Sequence, residues 1–405
     1  MGKGPVRAVA TTGAMVLALT LAGVGDAPAA PLSPRQDPPN GSDSDGYGSD
    51  SGPLPDGYGS DSGLLPDGYG SDSGPLPDGY GPADGHGSDE DCTVSEILEP
   101  SCGVWWGASP YQRRVEPLEE AVDRRMDIVY TWHGIDQAHI PGEREKKLIA
   151  EERFVHTNIE ARRFTRSGHP PVSYRSIIDG EFDRSLRSQA GTIAELGVPY
   201  FVTFDHEADA NKRYNRRGTP EEFVQAWRHI VDLYREEGAD NAIWVWNVTG
   251  WKGNFERLPK LWPGNDYVDW LSWEAYNMTG CDIHPHWTEV YSFEEALRPA
   301  YEWIQTEGPE HGIDPDKPVM IGEMGTTHIG ARETREWYSE IPDVLRRYER
   351  VRAVKVWDNR VSPGCDFRIG ANQHARKGFE EAGHDPYVKL PEWVRRLVEY
   401  AERRG

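Results

Sequence analysis

Val198-Pro-Tyr-Phe-Val-Thr-Phe-Asp-His-Glu207 is the stretch that decides the fold, because an apolar run of strand length ends there on polar residues. Pro318-Val-Met-Ile-Gly-Glu-Met-Gly325 repeats the pattern, with Glu323 near its end. Short apolar runs of this kind are typical of strands buried in a parallel sheet. A carboxylate at the tip of such a strand has no packing role, so Glu207 and Glu323 are candidate site residues.

Similar apolar runs recur along the chain, with amphipathic segments between them. The predicted strands are Gly103–Ala108, Asp127–Trp132, Pro171–Ile178, Pro199–Phe204, Ala242–Val248, Val268–Tyr276, Val319–Gly322 and Val351–Trp357. Eight strand and helix units in about 300 residues favour a (β/α)8 TIM barrel, an α/β fold. A doubly wound sheet is disfavoured because no Gly-x-Gly-x-x-Gly turn follows the first strand. Thr219-Pro-Glu-Glu222 and Ser292-Phe-Glu-Glu295 have the capping pattern of helix starts, and the first of these helices should stop at Gly238.

Residues 1–30 have the pattern of a secretory signal peptide. Lys3 and Arg7 precede an apolar stretch, and Ala27-Pro-Ala29 supplies small residues for cleavage. A membrane anchor is the alternative, but the stretch is short and rich in Thr and Gly. We therefore expect a secreted, extracellular protein with no membrane contact after cleavage.

Residues 31–91 contain an eleven-residue repeat, seen in 45–55, 56–66 and 67–77. Gly, Ser, Asp and Pro dominate it, so it cannot bury enough apolar surface to offset chain entropy, and we predict a disordered tail. Calcium binding in a β-roll is the alternative, although the period differs from the nonapeptide of such repeats. Residues 92–405 are then expected to form a single domain that contains the predicted barrel.

The chain is acidic, with a formal net charge of −23. This charge argues against nucleic acid as a partner and fits a neutral substrate. We expect a monomer. No Cys-x-x-Cys pattern indicates zinc, and the sequence implies no metal and no organic cofactor.

The four cysteines of an exported chain favour disulfides. Of the three possible connectivities, the nearest-neighbour one, Cys92–Cys102 with Cys281–Cys365, is preferred. Cys281 and Cys365 both follow predicted strands, which places them in loops on one face of the barrel.

In a (β/α)8 barrel the site lies where the strands end. The polar and aromatic residues at these ends are Trp132, His133, Arg175, His206, Glu207, Trp246, Asn247, Glu274, Tyr276, Glu323 and Trp357. Aromatic rings, an imidazole and two carboxylates at one rim are typical of a sugar-binding cleft. Two facing carboxylic acids are also the minimum needed to cleave a glycosidic bond.

Strand alternation predicts which side chains share a face. Val319, Ile321 and Glu323 should lie on one face of the seventh predicted strand. Thr203 and Asp205 should share a face with Glu207 on the fourth.

His206-Glu207, Ile321-Gly-Glu-Met-Gly325 and Ile178-Asp-Gly-Glu-Phe-Asp183 together resemble glycoside hydrolase family 26, whose founding members are β-mannanases. The resemblance covers roughly residues 103 to 369. It implies a retaining (β/α)8 hydrolase with Glu207 as acid/base and Glu323 as nucleophile. It also implies that Tyr276 hydrogen-bonds the nucleophile, that His206 lies next to the sugar 2-hydroxyl, and that Trp357 floors the subsite of the cleaved sugar. Trp132, His133 and Trp246 are further candidates for substrate contact.

The sequence departs from the family pattern around Glu207. Thr203 replaces an arginine, and the basic loop Asn211–Arg217 replaces an aromatic cluster. The loop contains Lys212, Arg213, Arg216 and Arg217, which suit either a charged polysaccharide or a solvated surface.

Two other classes of function are compatible with parts of this sequence. A His-Glu-x-x-His metalloprotease motif fails because Ala210 stands at the second ligand position. A non-catalytic glycan-binding protein on a hydrolase-like barrel remains the alternative. Glu274 is a rival carboxylate and is expected to lie one layer deeper, in a supporting hydrogen bond. The prediction is thus an endo-β-glycosidase acting on a polysaccharide, β-1,4-mannan or a related β-glycan.

Overall fold

The computed structural model describes residues 92–210, 213–283, 285 and 287–390. Within these ranges eight parallel strands close into a barrel in chain order. The strands are β1 (Trp105–Pro110), β2 (Ile128–Gly134), β3 (Phe154–Glu160), β4 (Tyr200–Phe204), β5 (Ala242–Val248), β6 (Trp270–Asn277), β7 (Val319–Thr326) and β8 (Val351–Asp358). The predicted (β/α)8 barrel is confirmed. The predicted signal peptide, the repeat tail and Lys212 lie outside the described residues.

Helices cover the outside of the barrel. They are α1 (Glu116–Val122), α2 (Glu143–Ala150), α3 (Tyr174–Ile178), α4 (Asp183–Leu196), α5 (Pro220–Glu236), α6 (Phe293–Thr306), α7 (Ala331–Ser339), α8 (Ile341–Leu345) and α9 (Gln373–Gly383). Thr219 and Ser292 form the predicted capping boxes at the starts of α5 and α6. Gly238, just beyond α5, has a φ of 76°, a conformation that favours glycine at a helix end.

The third predicted strand, Pro171–Ile178, is wrong. Strand β3 is Phe154–Glu160, which pairs with β2 and β4. The alternate positions His156 and Asn158 of β3 are polar and fully buried. Because these polar residues interrupt the apolar pattern, the sequence of β3 does not predict a buried strand.

The segment taken for that strand forms α3, which begins at a Ser173 cap that accepts a hydrogen bond from Ser176 N. Arg175 therefore lies on a helix and not at a strand end. It is exposed and pairs with Asp179 at 3.0 Å. Arg175 is thereby removed from the candidate site.

The barrel interior has a lower half at the amino ends of the strands and an upper half at their carboxyl ends. The lower half is apolar and contains Trp105, Ile128, Phe201, Ile243, Val245, Trp270 and Met320. The loop closed by Cys92 and Cys102 covers this end. Its carbonyls at Leu98 and Ile97 accept 2.7 Å hydrogen bonds from the indole N–H groups of Trp105 and Trp270.

Both disulfides have the pairing expected from the sequence. Cys92 is bonded to Cys102, and Cys281 is bonded to Cys365 with a Cα–Cα distance of 4.5 Å. The second bridge joins the segment after β6 to a small hairpin formed by β9 (Arg360–Ser362) and β10 (Cys365–Asp366). Of the helices in the described part of the chain, none is long and apolar enough to cross a membrane.

Candidate active site

Glu207 lies just beyond β4, where the backbone leaves the strand conformation. Asp205 and Glu207 both have positive φ, 46° and 54°. The Glu207 side chain is fully buried, and its backbone N–H donates to Asn247 O at 3.0 Å. Strand alternation therefore ends at Phe204, and the predicted shared face of Thr203, Asp205 and Glu207 is wrong.

The side chain of Asp205 points to the outside of the barrel at this turn. Its carboxylate accepts a 2.7 Å hydrogen bond from the Tyr174 hydroxyl and pairs with Arg217. Thr203 instead faces the barrel interior, where its hydroxyl contacts His156 Nε2 at 2.8 Å. Tyr174 of α3 and Arg217 thus hold the turn after β4 from the outside of the barrel.

Glu323 reaches the interior through a β-bulge in β7. Ile321 and Met324 both pack in the outer core, and the register of β7 against β8 shifts between them. Gly322 and Glu323 contain the additional residue of this bulge. Glu323 therefore points into the barrel, whereas Ile321 points out of it. The predicted common face of Val319, Ile321 and Glu323 is therefore wrong.

Gly322 is the residue that makes this bulge possible. A Cβ at this position would collide with Asn247 Oδ1 and Ser272 Oγ, which lie inside the barrel. A glycine is therefore required for β7 to approach β5 and β6 so closely.

Tyr276 on β6 fixes the carboxylate of Glu323. Its hydroxyl donates to Glu323 Oε2 at 2.6 Å, and Glu323 is 2% exposed. Burial raises the pKa of Glu323 to about 7, while the Tyr276 hydrogen bond and the charges of Lys355 and Arg213 act in the opposite direction. The side chain therefore changes its charge near neutral pH.

Glu274 lies on the same face of β6 as Tyr276. Its Oε1 accepts a 2.6 Å hydrogen bond from Asn247 Nδ2. Burial, followed by the charges of Glu323 and Glu207, raises the pKa of Glu274 well above its usual range. Burial thus favours the protonated form of Glu274, and its contact with Asn247 is the supporting hydrogen bond expected from the sequence.

His206 is held as a neutral imidazole. Asn158 Nδ2 donates to His206 Nδ1 at 2.7 Å, and Asn158 Oδ1 accepts from His206 N at 3.2 Å. Burial and the charges of Arg213 and Lys355 lower the pKa of His206 well below its usual value. Since Nδ1 accepts, the ring proton is on Nε2.

Aromatic side chains form the rim. Tyr276, Trp357 and Phe367 pack together, with Tyr276 and Trp357 perpendicular at 6.3 Å between ring centroids. Trp132 is partly exposed and stands edge-on to His206 at 6.4 Å. The Cys281–Cys365 bridge belongs to the same cluster, so it ties two rim segments together.

Two predicted substrate contacts lie elsewhere. His133 Nε2 is 3.2 Å from Glu145 Oε1 on α2, and Trp246 packs perpendicular to Trp262 at 5.1 Å in the outer core. Adjacent strand residues point to opposite faces, so His133 could not share a face with Trp132, nor Trp246 with Asn247. The outward orientation of His133 and Trp246 could therefore have been predicted from strand alternation in the sequence.

The basic loop after Glu207 is largely committed to the protein. Arg213 is 1% exposed, donates to the His206 carbonyl and lies 3.9 Å from Asp205. Arg217 pairs with Asp205, and Arg216 is exposed. Neither alternative drawn from the sequence describes Arg213 and Arg217, which brace the end of β4.

Several members of the site were missed. Asn158 and Lys355 are polar, buried and inward-facing, but Lys355 stands among apolar residues and Asn158 in a segment not predicted as a strand. Trp251 and Trp287 stack at 5.2 Å beside a small pocket that Glu274 also lines. Lys355 precedes Trp357 by two residues, and that spacing was the available signal. No cluster of His, Cys, Asp or Glu suited to a metal ion occurs in the part of the chain that the structure describes.

Comparisons with known proteins relate this chain to one family. Residues 164–325 match the family model of glycosyl hydrolase family 26. "Endoglucanase H" of Acetivibrio thermocellus is 24% identical over 298 residues, which is 69% of this chain and 30% of that protein. "Beta-1,3-xylanase TXYA" of a Vibrio species is 24% identical over 207 residues, covering 51% of this chain and 40% of that protein. The chain thus spans less than half the length of these curated relatives.

The barrel also resembles a solved family 26 β-mannanase from Bacteroides ovatus. The TM-score is 0.53 with 15% sequence identity, over 71% of this chain and 90% of that one. At this identity the likeness concerns the fold. Together with the family match, it confirms the predicted resemblance to family 26.

Proposed function

We propose that the chain is a glycoside hydrolase of the family 26 type, an endo-acting β-glycosidase that cleaves a neutral β-glycan with retention of configuration. Glu207 acts as acid/base and Glu323 as nucleophile. Tyr276, His206, Trp357 and Trp132 contact the sugar. β-1,4-Mannan is the first candidate substrate.

The hydrogen bond from Tyr276 to Glu323 carries this proposal. It fixes one oxygen of a buried carboxylate at 2.6 Å and leaves the other oxygen available for attack on an anomeric carbon. In the first step Glu207 protonates the leaving oxygen while Glu323 forms the glycosyl bond. In the second step Glu207 takes a proton from water, which releases the sugar.

The substrate class follows from charge and from the relatives. Since Arg213 and Arg217 are engaged with His206 and Asp205, the basic loop gives little support for a charged polysaccharide. Two related proteins carry the names of an endoglucanase and a β-1,3-xylanase, which supports a β-glycan as the substrate class. The aromatic rim suits such sugar rings.

Export and a monomeric state complete the proposal. Two disulfides are compatible with an oxidising compartment, and residues 1–30 would direct the chain there.

A panel of β-1,4-mannan, β-1,3-xylan and mixed-linkage β-glucan tests this function. We expect release of reducing ends from at least one polymer, with an early fall in viscosity because internal bonds are cut. Glu323→Gln, in which the amide still accepts from Tyr276, is the matched inactive control. Binding to a polymer with no release of reducing ends would favour the glycan-binding alternative.

A further inference from the structure

Lys355 is a fully buried lysine inside the barrel, on the same strand as Trp357. The opposing residue of β1 is Gly107, where a Cβ would lie 2.9 Å from Lys355 Cγ. Strand β1 thus leaves the space that the stem of this lysine occupies. Burying a cation costs folding free energy, and an apolar side chain could fill the same volume. A lysine retained at this position therefore points to a functional role.

The ammonium group is held by neutral partners. Lys355 Nζ lies 2.5 Å from His156 Nδ1 and 3.5 Å from the centroid of the Tyr130 ring. His156 Nε2 is 2.8 Å from Thr203 Oγ1, which donates to Val245 O at 2.8 Å. Since Thr203 uses its proton on the carbonyl, His156 donates from Nε2 and accepts from Lys355 at Nδ1. The chain of hydrogen bonds fixes Lys355 as a donor.

The charged groups that act on Lys355 are the carboxylates of the site. Burial lowers the pKa of Lys355 to about 7, and the charges of Glu274 and Glu323 limit the fall. Burial and the Lys355 charge lower the pKa of His156 well below its usual value, so this imidazole is neutral. Tyr130 keeps its proton because burial raises its pKa well above the usual range.

Of the two carboxylates, Glu323 is the one that faces Lys355 across the β7–β8 pair, because Ile321 and Met324 pair with Val354 and Val356 and leave the bulge at Gly322 and Glu323 opposite Lys355. Glu323 is therefore the anion that the ammonium group stabilises. Lys355 in turn lowers the pKa of Glu323, after the Tyr276 hydrogen bond, and so does Arg213. Across the barrel, Lys355 also affects His206, which is neutral.

We propose that Lys355 is a positioning residue of this site: a buried counter-cation, delivered from β8 and anchored on His156 and Tyr130, that keeps Glu323 ionised without touching the substrate. The inference rests on the proposed role of Glu323 as nucleophile. It assigns β8 an electrostatic task in addition to presenting Trp357.

The pH profile of kcat/KM tests this role in two variants. Lys355→Met removes both the charge and the donor, whereas Lys355→Gln removes the charge and keeps an N–H donor for His156. Loss of a cation raises the pKa of a nearby carboxyl, so we expect the acid limb to move upward by roughly one pH unit or more in both variants. Activity one pH unit below the midpoint of the wild-type acid limb then falls about tenfold, with a much smaller change at pH values above the acid limb of the variant.

Arg124→Met is the matched control, because Arg124 is also a buried cation but pairs with Asp127 at the lower end of the barrel. It should lower stability and leave the acid limb in place. If the lysine variants lower the melting temperature while the acid limb stays at its wild-type position, Lys355 is structural and the proposal is wrong.

A second readout does not depend on turnover. The titration of Glu323 is followed by NMR of carbon-13 labelled glutamate carboxyls, with Glu323→Gln assigning the signal. An upward shift of that signal in Lys355→Gln supports the counter-cation, even if no polysaccharide is cleaved and the proposed function fails. An unshifted signal in a folded variant overturns it, even if the wild type is an active hydrolase.

Discussion

The lower half of the barrel interior packs Trp105, Phe201 and Trp270 together, whereas the upper half buries the ionisable side chains of Glu274, Glu323 and Lys355 to a similar extent. Below, the indole N–H groups are satisfied by backbone carbonyls, and Phe201 meets Trp270 at 5.6 Å in a perpendicular contact. Above, burial raises the pKa of Glu323 and lowers that of Lys355, so folding disfavours the charged form of both groups.

The comparison shows that burial has opposite effects on the free energy of folding in the two halves. In the lower half, removing apolar surface from water stabilises the fold. In the upper half, burying ionisable groups costs stability and places their protonation near neutral pH, as acid and base catalysis requires. The lower half and the outer core must therefore stabilise the site, and the two halves should respond differently to substitution.

The largest effect on stability should come from the bridge across the upper rim. The Cys281–Cys365 disulfide spans 84 residues and Cys92–Cys102 spans 10. In the chain-entropy model, replacing the first pair by serines costs about 4.5 kcal/mol and replacing the second about 2.7 kcal/mol. Denaturant unfolding of both double variants measures the difference. A larger loss from the Cys92–Cys102 pair would contradict this ranking.

Truncation in the lower half should damage stability alone. Trp270→Ala removes a fully buried ring and should cost about 3–5 kcal/mol, because the surrounding core cannot collapse fully. At a temperature where the variant is folded, its kcat should match that of the wild type. Trp251→Ala, at the partly exposed rim, is the control and should cost less. A fall in kcat with unchanged stability in Trp270→Ala would show that the two halves are not separable.

Replacing the ionisable carboxyl group of Glu323 in the upper half should increase the free energy of unfolding at alkaline pH. The folded pKa of Glu323 is about 7 against a usual value of 4.5, so its contribution to stability is fully present below about pH 4.5 and is lost as pH rises through 7. Glu323→Gln should match the wild type at pH 4 and exceed it at pH 8 by on the order of 3 kcal/mol. Glu310→Gln, at an exposed position, should change neither. Melting temperatures at the two pH values decide this, and a less stable Glu323→Gln at pH 8 would refute it.

The same division explains what the sequence could predict. Strands β4 and β7 were predicted because their apolar residues serve packing, and Glu207 and Glu323 were found because a carboxylate interrupts such runs. Strand β3 was missed because it contributes His156 and Asn158 to the upper half. Polar residues inside a barrel weaken the pattern on which strand prediction depends.

The finer geometry depended on tertiary structure. Glu323 faces inward because of a bulge at Gly322, and a bulge leaves no periodic signal in sequence. The outward positions of His133 and Trp246 could have been predicted, since each adjoins an inward residue. The contacts of Arg213 and Arg217 with the end of β4 come from folding of the loop back onto it, which composition does not show.

The division of labour between Glu207 and Glu323 is tested most directly by proton NMR of the products that Glu207→Ala forms from an activated aryl β-glycoside in the presence of azide. The account predicts a β-glycosyl azide, because Glu323 still forms the intermediate and azide needs no general base. Glu323→Ala should be almost inactive on the same substrate. A β-glycosyl azide from Glu323→Ala, with an α-glycosyl azide from Glu207→Ala, would exchange the two roles and contradict the account.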